Sequence, residues 1–244
     1  MLKASRPQRA PVLLWRAGAW EQTADALSPE TRVRVRWPGG EDELWAWPED
    51  LDTLRLGHAL LERKRAAIAP ASPPVPSPAP SPDPFPDDGR PSSRLAPPTV
   101  DAPPAPTPEG LLTLMETFLS LPGRYPRLWE ETGCFHRAAA VRANGLIQLA
   151  EDIGRHNCID RLAGWAWRAG VAPEECLLLL SARITGSLYE RAHLAGFRFL
   201  VSRAAVTTAA TTRAERDGVT LIGFCRPRER RFTVFADSAE RMRA

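Results

Sequence analysis

No two of the four cysteines stand as a Cys-x-x-Cys pair. Cys134, Cys158, Cys176 and Cys225 are widely separated, which fits neither a zinc site nor a disulfide framework, so each is read as a reduced thiol. Long apolar runs are missing too. Met1 to Ala10 is polar and basic and leads into only a short apolar run from Val12 to Trp15, so a signal peptide lacks its hydrophobic segment. No stretch reaches the length of a membrane-spanning helix, and the expectation is a cytoplasmic protein. Nor does one charge dominate: 32 Lys and Arg face 29 Asp and Glu, a net +3. That balance argues against a nucleic-acid or membrane partner and for a small anionic ligand, although the last thirty residues are slightly basic. No internal repeat is visible. The 244 residues, 43% of them apolar, suffice for one large domain or two small ones.

What the chain does have is a tether. Between Pro70 and Pro108 the composition shifts to Pro, Ala and Ser, and this stretch holds 16 of the 25 prolines. Proline removes backbone donors and favours extended polyproline II, so the segment reads as a semi-rigid, solvated linker between two modules. Three parts follow: a small module over 1–69, the linker over 70–108 and a larger domain over 109–244. In the first, Arg32 to Trp37 alternates polar with apolar, Pro38-Gly39-Gly40 supplies a turn, and Glu43 to Trp47 gives a second strand of a β-hairpin. Glu49 to Leu61 places acids in a first turn and leucines at helical spacing, so the module is mixed α+β, with His58 a packed or partly exposed helix residue rather than a ligand.

Beyond the tether, helix-like and strand-like runs alternate, the pattern of an α/β layer structure. Leu111 to Leu119 reads as helix, and Arg137 to Val141 as the opening of another, with His136 in its first turn. Gly145 to Leu149 reads as strand, Cys158 to Trp167 as helix and Leu177 to Leu180 as a fully buried strand. Ser187 to Ala195 is helical with Gly196 as C-cap and His193 structural, followed by a strand from Phe197 to Val201. Thr207 to Arg216 is helical; Val219 to Phe224 and Arg231 to Phe235 are strands. Between two such elements, Glu151-Asp152-Ile153-Gly154-Arg155-His156-Asn157 gathers two carboxylates, a guanidinium, an imidazole and an amide around one glycine. Polar groups placed between buried elements need partners, which points to a ligand site. The alternative is a loop in which Asp152 and Asn157 satisfy helix ends.

This segment, with Asp160, Thr132-Gly133-Cys134-Phe135-His136, Ser181-Ala182-Arg183, Val201-Ser202-Arg203 and Gly223-Phe224-Cys225-Arg226, resembles in order and spacing the formate dehydrogenase accessory sulfurtransferase family, FdhD. The resemblance covers residues 110 to 240 well and 11 to 65 loosely, and the Glu-Asp-x-Gly-Arg-His-Asn run is its most specific part. It implies a three-layer α/β/α fold similar to cytidine deaminase. It also implies a homodimer that binds the molybdenum cofactor as bis-molybdopterin guanine dinucleotide and passes it sulfur for formate dehydrogenase. In that family a Cys-x-x-Cys loop takes a persulfide from a cysteine desulfurase; here the proline tether runs in its place. A cofactor-binding chaperone without sulfurtransferase activity is therefore the alternative, and an interaction module working through the tether is a third reading.

Such a cofactor carries pyrophosphates and guanines, so its receptor needs guanidiniums, backbone amides and acids. Arg155, Arg183, Arg203, Arg226 and Arg228 are the phosphate candidates, and Asp152 and Asp160 the guanine acceptors. His136, Gly154, His156, Asn157, Ser181, Ser202, Phe224 and Cys225 stand in the same matching segments. Cys134 is the candidate sulfur carrier, with Cys158 a second thiol near positive charge, because a persulfide carrier needs an accessible, charge-stabilised thiol. No metal is expected: the deaminases bind zinc through His-x-Glu and Pro-Cys-x-x-Cys, and His136 is followed instead by Arg137 and Ala138.

Overall fold

The computed structural model describes residues 6–68, 106–122, 131–142 and 145–242, and the tether inferred for 70–108 lies almost wholly outside them. Two antiparallel ribbons open the chain: β1 (Gln8–Arg16) with β2 (Ala19–Leu27), and β3 (Thr31–Trp37) with β4 (Gly40–Ala46). The first was not legible in the sequence. Its two-residue turn, Ala17-Gly18, has positive φ at both positions, the geometry whose handedness suits a tight hairpin, but the usual Asn-Gly signal is absent. Helix α1 (Leu51–Ile68) follows and covers Val33, Val35 and Ala46 with Leu54 and Ala59.

The remaining elements build a six-stranded mixed sheet. They are α2 (Pro108–Ser120), β5 (His136–Arg142), β6 (Gly145–Asp152), α3 (Arg155–Ala169), β7 (Leu177–Leu180), α4 (Gly186–Ala195), β8 (Phe199–Ser202), α5 (Thr208–Arg216), β9 (Thr220–Arg226) and β10 (Arg231–Ala236). The strand order is β10-β9-β8-β7-β5-β6; β7, β8 and β9 are parallel and the other pairs antiparallel. All four leucines of β7 are buried. Leu177 and Leu179 meet α2 through Leu111, Met115 and Phe118, while Leu178 and Leu180 face the core formed with α1, α3, α4 and α5. Burying each of those leucines contributes roughly 1.5–3 kcal/mol.

The expectation of a helix opening at Arg137 is corrected: His136–Arg142 is a strand, and His136 stands at its first position, not in a helical turn. Alanine favours helix when isolated, but Ala138, Ala139 and Ala140 are fully buried between strands on both sides. Pairing on both sides with β6 and β7 places this alanine run in the sheet despite its helical preference. Thr107 caps α2 by accepting a hydrogen bond from Gly110 N at 3.1 Å, and Gly196 closes α4 with φ +109° as its position foretold.

Helix α1 packs directly against α3. Helix α1 crosses α3 where Gly57 faces Gly164, so closely that a Cβ on Gly57 would lie 1.7 Å from Asp160 O and one on Gly164 2.1 Å from Thr53 O. On helix propensity alone Gly164→Ala would stabilise by about 1 kcal/mol. Because the opposing atom is backbone, we expect the reverse, a loss of about 1–3 kcal/mol from overpacking, read as a lower urea midpoint; an unchanged or higher midpoint would contradict the close crossing.

Candidate functional site

Strand directions bring the inferred residues to one edge of the sheet. His136 pairs with Asp152, Ala138 with Leu180, and Leu180 with Ser202. The start of β5 and the ends of β6, β7, β8 and β9 therefore share that edge, and α3, α4 and α5 begin there because they follow β6, β7 and β8. Each helix start presents backbone N–H groups and the positive end of its dipole.

The acids at this edge turn inward. Asp152 is wholly buried. Its Oδ1 accepts from Gly154 N at 3.0 Å and Asn157 Nδ2 at 2.8 Å, and its Oδ2 from Arg161 Nε at 2.9 Å and Nη2 at 2.7 Å. The same guanidinium donates to the carbonyls of Trp47 at 2.9 Å, Glu49 at 2.5 Å and Asp50 at 3.1 Å, and Asn157 donates to Trp45 O at 2.8 Å. A Cβ on Gly154 would lie 2.7 Å from Asn157 Nδ2, so a side chain there would push the amide out of its bonds to Asp152 and Trp45. Much of the polar concentration in this segment is thus a clasp that ties the β4–α1 loop to the β6–α3 turn. The T-shaped contact of Trp47 on Phe135, 5.3 Å between ring centres, packs beside it.

Asp160 is committed in the same way. Its carboxylate takes Arg191 Nε at 2.5 Å and Nη2 at 2.9 Å, and His58 Nδ1 at 2.9 Å, while His58 Nε2 lies 3.0 Å from Asp42 Oδ2 and Arg191 also pairs with Glu62. Asp42, His58 and Glu62 bring ligand atoms within 4.8 Å of one another, the composition of a cation site. The Arg191 guanidinium already supplies the compensating charge, and the cluster reads as an ion-pair network. Burial disfavours protonated His58, but the hydrogen bond and charge of Asp160 outweigh it and hold its pKa above the ordinary value. Asp160 is also buried, yet His58 and Arg191 hold its carboxyl below the usual range.

What faces outward is basic. Arg155 is half-buried and Arg183 exposed, and among the described residues neither has an ion-pair partner. Burial together with the charge of Arg155 pushes both His136 and His156 below their ordinary pKa, with Arg183 adding to the effect at His136. Both imidazoles are therefore neutral at pH 7. His156 Nε2 lies 3.3 Å from Ser187 Oγ at the start of α4. The serine hydroxyls bond within the fold: Ser181 Oγ accepts from Arg137 N at 2.9 Å, and Ser202 Oγ donates to Ala182 O at 2.7 Å and accepts from Ala204 N at 2.9 Å.

Farther along the edge a cleft of about 790 Å³ opens between the end of α2 and the end of β9, lined among others by Arg203, Arg226, Arg228, Glu116 and Cys225. Arg155 and Arg183 are not among its lining residues, so the candidate cations divide between two adjacent surfaces. Phe224 turns the chain with φ +48°, and its ring carries the Arg226 and Arg231 guanidiniums at 5.2 and 5.7 Å. Arg226 also pairs with Glu229 at 2.9 Å. Of the thiols, Cys158, Cys176 and Cys225 are buried and Cys134 exposed. Burial raises the pKa of Cys158 and Cys176, and that of Cys225 to about 12, so Cys134 is the reachable one.

Reading the sequence missed Arg161, Arg191 and Glu62. Arg191 meets Glu62 from 129 residues away, and Arg161 reaches the carbonyls of residues 47–50 from more than 110 away although its Asp152 partner is only nine residues back.

Residues 92–243 match the FdhD/NarQ family. The chain is 39% identical over 99 residues to the sulfur carrier protein FdhD of Wolinella succinogenes, covering 41% of this chain and 35% of that one. It is 33% identical over 133 residues to the protein of the same name from Chromobacterium violaceum, covering 54% and 49%. The matched regions thus span between about a third and a half of the length of these curated relatives. A solved structure described as a formate dehydrogenase accessory protein from Desulfotalea psychrophila superposes with a TM-score of 0.72 at 18% identity, covering 97% of this chain and 99% of that one. This likeness shows a shared fold.

The His58 network carries a pH signature. A folded-state pKa raised above the unfolded value gives stability that is fully present below about pH 6.5 and lost as pH climbs through the folded value. The unfolding free energy of wild type minus that of His58→Gln is therefore expected to be largest near pH 5.5 and to shrink toward pH 8.5. A difference that grows with pH in denaturant titrations would reverse the assignment.

Proposed function

The chain belongs to the FdhD/NarQ family, and from that premise we propose that it is a cytoplasmic accessory protein for formate dehydrogenase. In this reading it binds the molybdenum cofactor as bis-molybdopterin guanine dinucleotide and supports its sulfuration. The observation that carries the proposal is the set of guanidiniums Arg155, Arg183 and Arg203, left without ion-pair partners among the described residues at an edge where three helices begin. Planar guanidiniums and helix-start amides are what a pyrophosphate requires. The residues fit the phosphate part of such a group. Asp152 and Asp160 are engaged in internal ion pairs, so guanine recognition falls to backbone groups and to the rim of the 790 Å³ cleft. Bound there, the cofactor would supply the metal centre that takes up sulfur, while this chain's residues hold its phosphates and orient it. Packing of helices against both faces of the mixed sheet supports a layered likeness to cytidine deaminase.

With no Cys-x-x-Cys in the chain and three thiols buried, sulfur taken from a cysteine desulfurase would be carried on Cys134. If Cys134 carries none, the protein is a cofactor chaperone, the second reading that those same observations favour. A homodimer completes the proposal.

Saturating GDP, as a surrogate ligand, is expected to stabilise the wild type by about 2.7 kcal/mol at a hundredfold excess over Kd, a rise of roughly 5–10 °C in Tm for a chain of this size. Arg155→Ala and Arg183→Ala should lose most of that rise while keeping the unliganded Tm. Equal shifts in all three proteins would overturn the site. Incubation with a cysteine desulfurase and cysteine, followed by intact mass, decides between the readings: a gain of one sulfur that disappears in Cys134→Ser marks a carrier, and no gain marks a chaperone.

A further inference from the structure

We propose that the open edge of β3 is a docking groove for an extended, acidic segment of a partner protein, which adds there as a third strand. The ribbon β3–β4 has two strands, and among the described residues β3 makes no backbone hydrogen bond beyond those to β4. Helix α1 covers one face of the ribbon, but the unpaired edge still offers a row of N–H and C=O groups to another chain. Beside that edge runs a groove of about 540 Å³ lined by Arg34, Val35 and Arg36 of β3, Asp52, Arg55, Leu56 and Ala59 of α1, and Arg168 of α3. No β4 residue lines it, which places it along the open side.

Charge decides the occupant. Arg34 and Arg36 share a single carboxylate, Glu41; Arg55 pairs with Asp52 at 3.0 Å; Arg168 donates to the neutral Thr53 hydroxyl at 2.6 Å. Four guanidiniums therefore face two carboxylates. The arginines of β3 and Arg55 are well exposed, and exposed ion pairs contribute only about 0–1 kcal/mol, so exchanging partners costs little. Spacing decides the pattern. Arg34 and Arg36 point from one face of β3, two residues apart, and an added strand places its own alternate side chains opposite them. Acids at every second position would meet these guanidiniums, and apolar residues between them would meet the floor, where Val35 and Ala59 are buried and Leu56 half-buried. A nucleic acid is the poorer fit, because no aromatic side chain lines the groove to stack a base.

The test uses the full chain and a fluorescein-labelled peptide that alternates glutamate and valine, followed by anisotropy. Saturable binding is expected, weakened at least tenfold by the double variant Arg34→Glu, Arg168→Glu and by raising salt from 0.05 to 0.3 M. The same peptide methylated on alternate backbone nitrogens, to remove the main-chain donors an added strand needs, should not bind the wild type. That arm is independent of how the variant folds. Absence of saturable binding, equal affinity for a lysine–valine peptide, undiminished binding of the methylated peptide, or tighter binding of a single-stranded oligonucleotide of equal charge would each overturn the proposal.

Discussion

The guanidinium of Arg161 is the point on which the arrangement of this chain turns. It sits almost wholly out of solvent between the Asp152 carboxylate and three backbone carbonyls of residues 47–50. A buried charge without partners is costly, and so are carbonyls without donors. The docking of the β4–α1 loop and the shape of the β6–α3 turn therefore cannot be separated. Buried ion pairs are weak evidence for net stability, because desolvation offsets much of their attraction. Here the pair fixes a geometry: it sets where α3 begins, and thereby where Arg155 and His156 stand.

A second clasp works at the other side of the α1–α3 crossing. Asp160, Arg191, His58 and Glu62 join α1, α3 and α4, and the glycine-to-glycine approach removes the side chains that would hold those helices apart. The two clasps have an electrostatic consequence for the outer surface. The carboxylates of Asp152, Asp160 and Glu151 are engaged by Arg161, Arg191 and Arg137 within the fold. Arg155, Arg183 and Arg203 are then left at the sheet edge without ion-pair partners among the described residues, while Arg226 keeps Glu229. A chain with a net charge of only +3 so acquires a locally cationic rim.

The sequence made most elements legible because their hydrophobic periods are strong: the β3–β4 ribbon, the buried leucines of β7, and helices α1 to α5 lie close to where spacing puts them. It failed where tertiary context overrode local preference. Ala138 to Ala140 form a strand because β6 and β7 pair with it on both sides, and no local pattern shows that. It failed again at β1–β2, whose Ala17-Gly18 turn lacks the usual residue signal. At the candidate site, the polar run from Glu151 to Asn157 was legible as unusual, but its division of labour was not. Asp152 and Asn157 turn inward while Arg155 and His156 do not, and that distinction depends on Arg161 and on loop carbonyls a hundred residues away. The carbonyls leave no trace in a window of neighbouring residues, and Arg161, only nine residues from Asp152, carries no local mark of the pairing it makes.

The neutral histidines at the rim follow from the same charge distribution. Burial and the nearby guanidiniums both disfavour an imidazolium at His136 and His156, so in the absence of an anion these rings have one N–H and one acceptor nitrogen each. Burial is the main cause that keeps His136 neutral, and an anionic group settling beside Arg155 and Arg183 would offset the guanidinium repulsion that adds to it. The desolvation cost would remain, but the coulombic contribution would change sign. Ligand charge and imidazole protonation are then coupled through the guanidiniums between them, each favouring the other by the same free energy. Asp152 and Asp160 already oppose the repulsion, since the charge of the first favours an imidazolium at His136 and that of the second at His156; their own pairing with Arg161 and Arg191 keeps them from neutralising the rim guanidiniums directly.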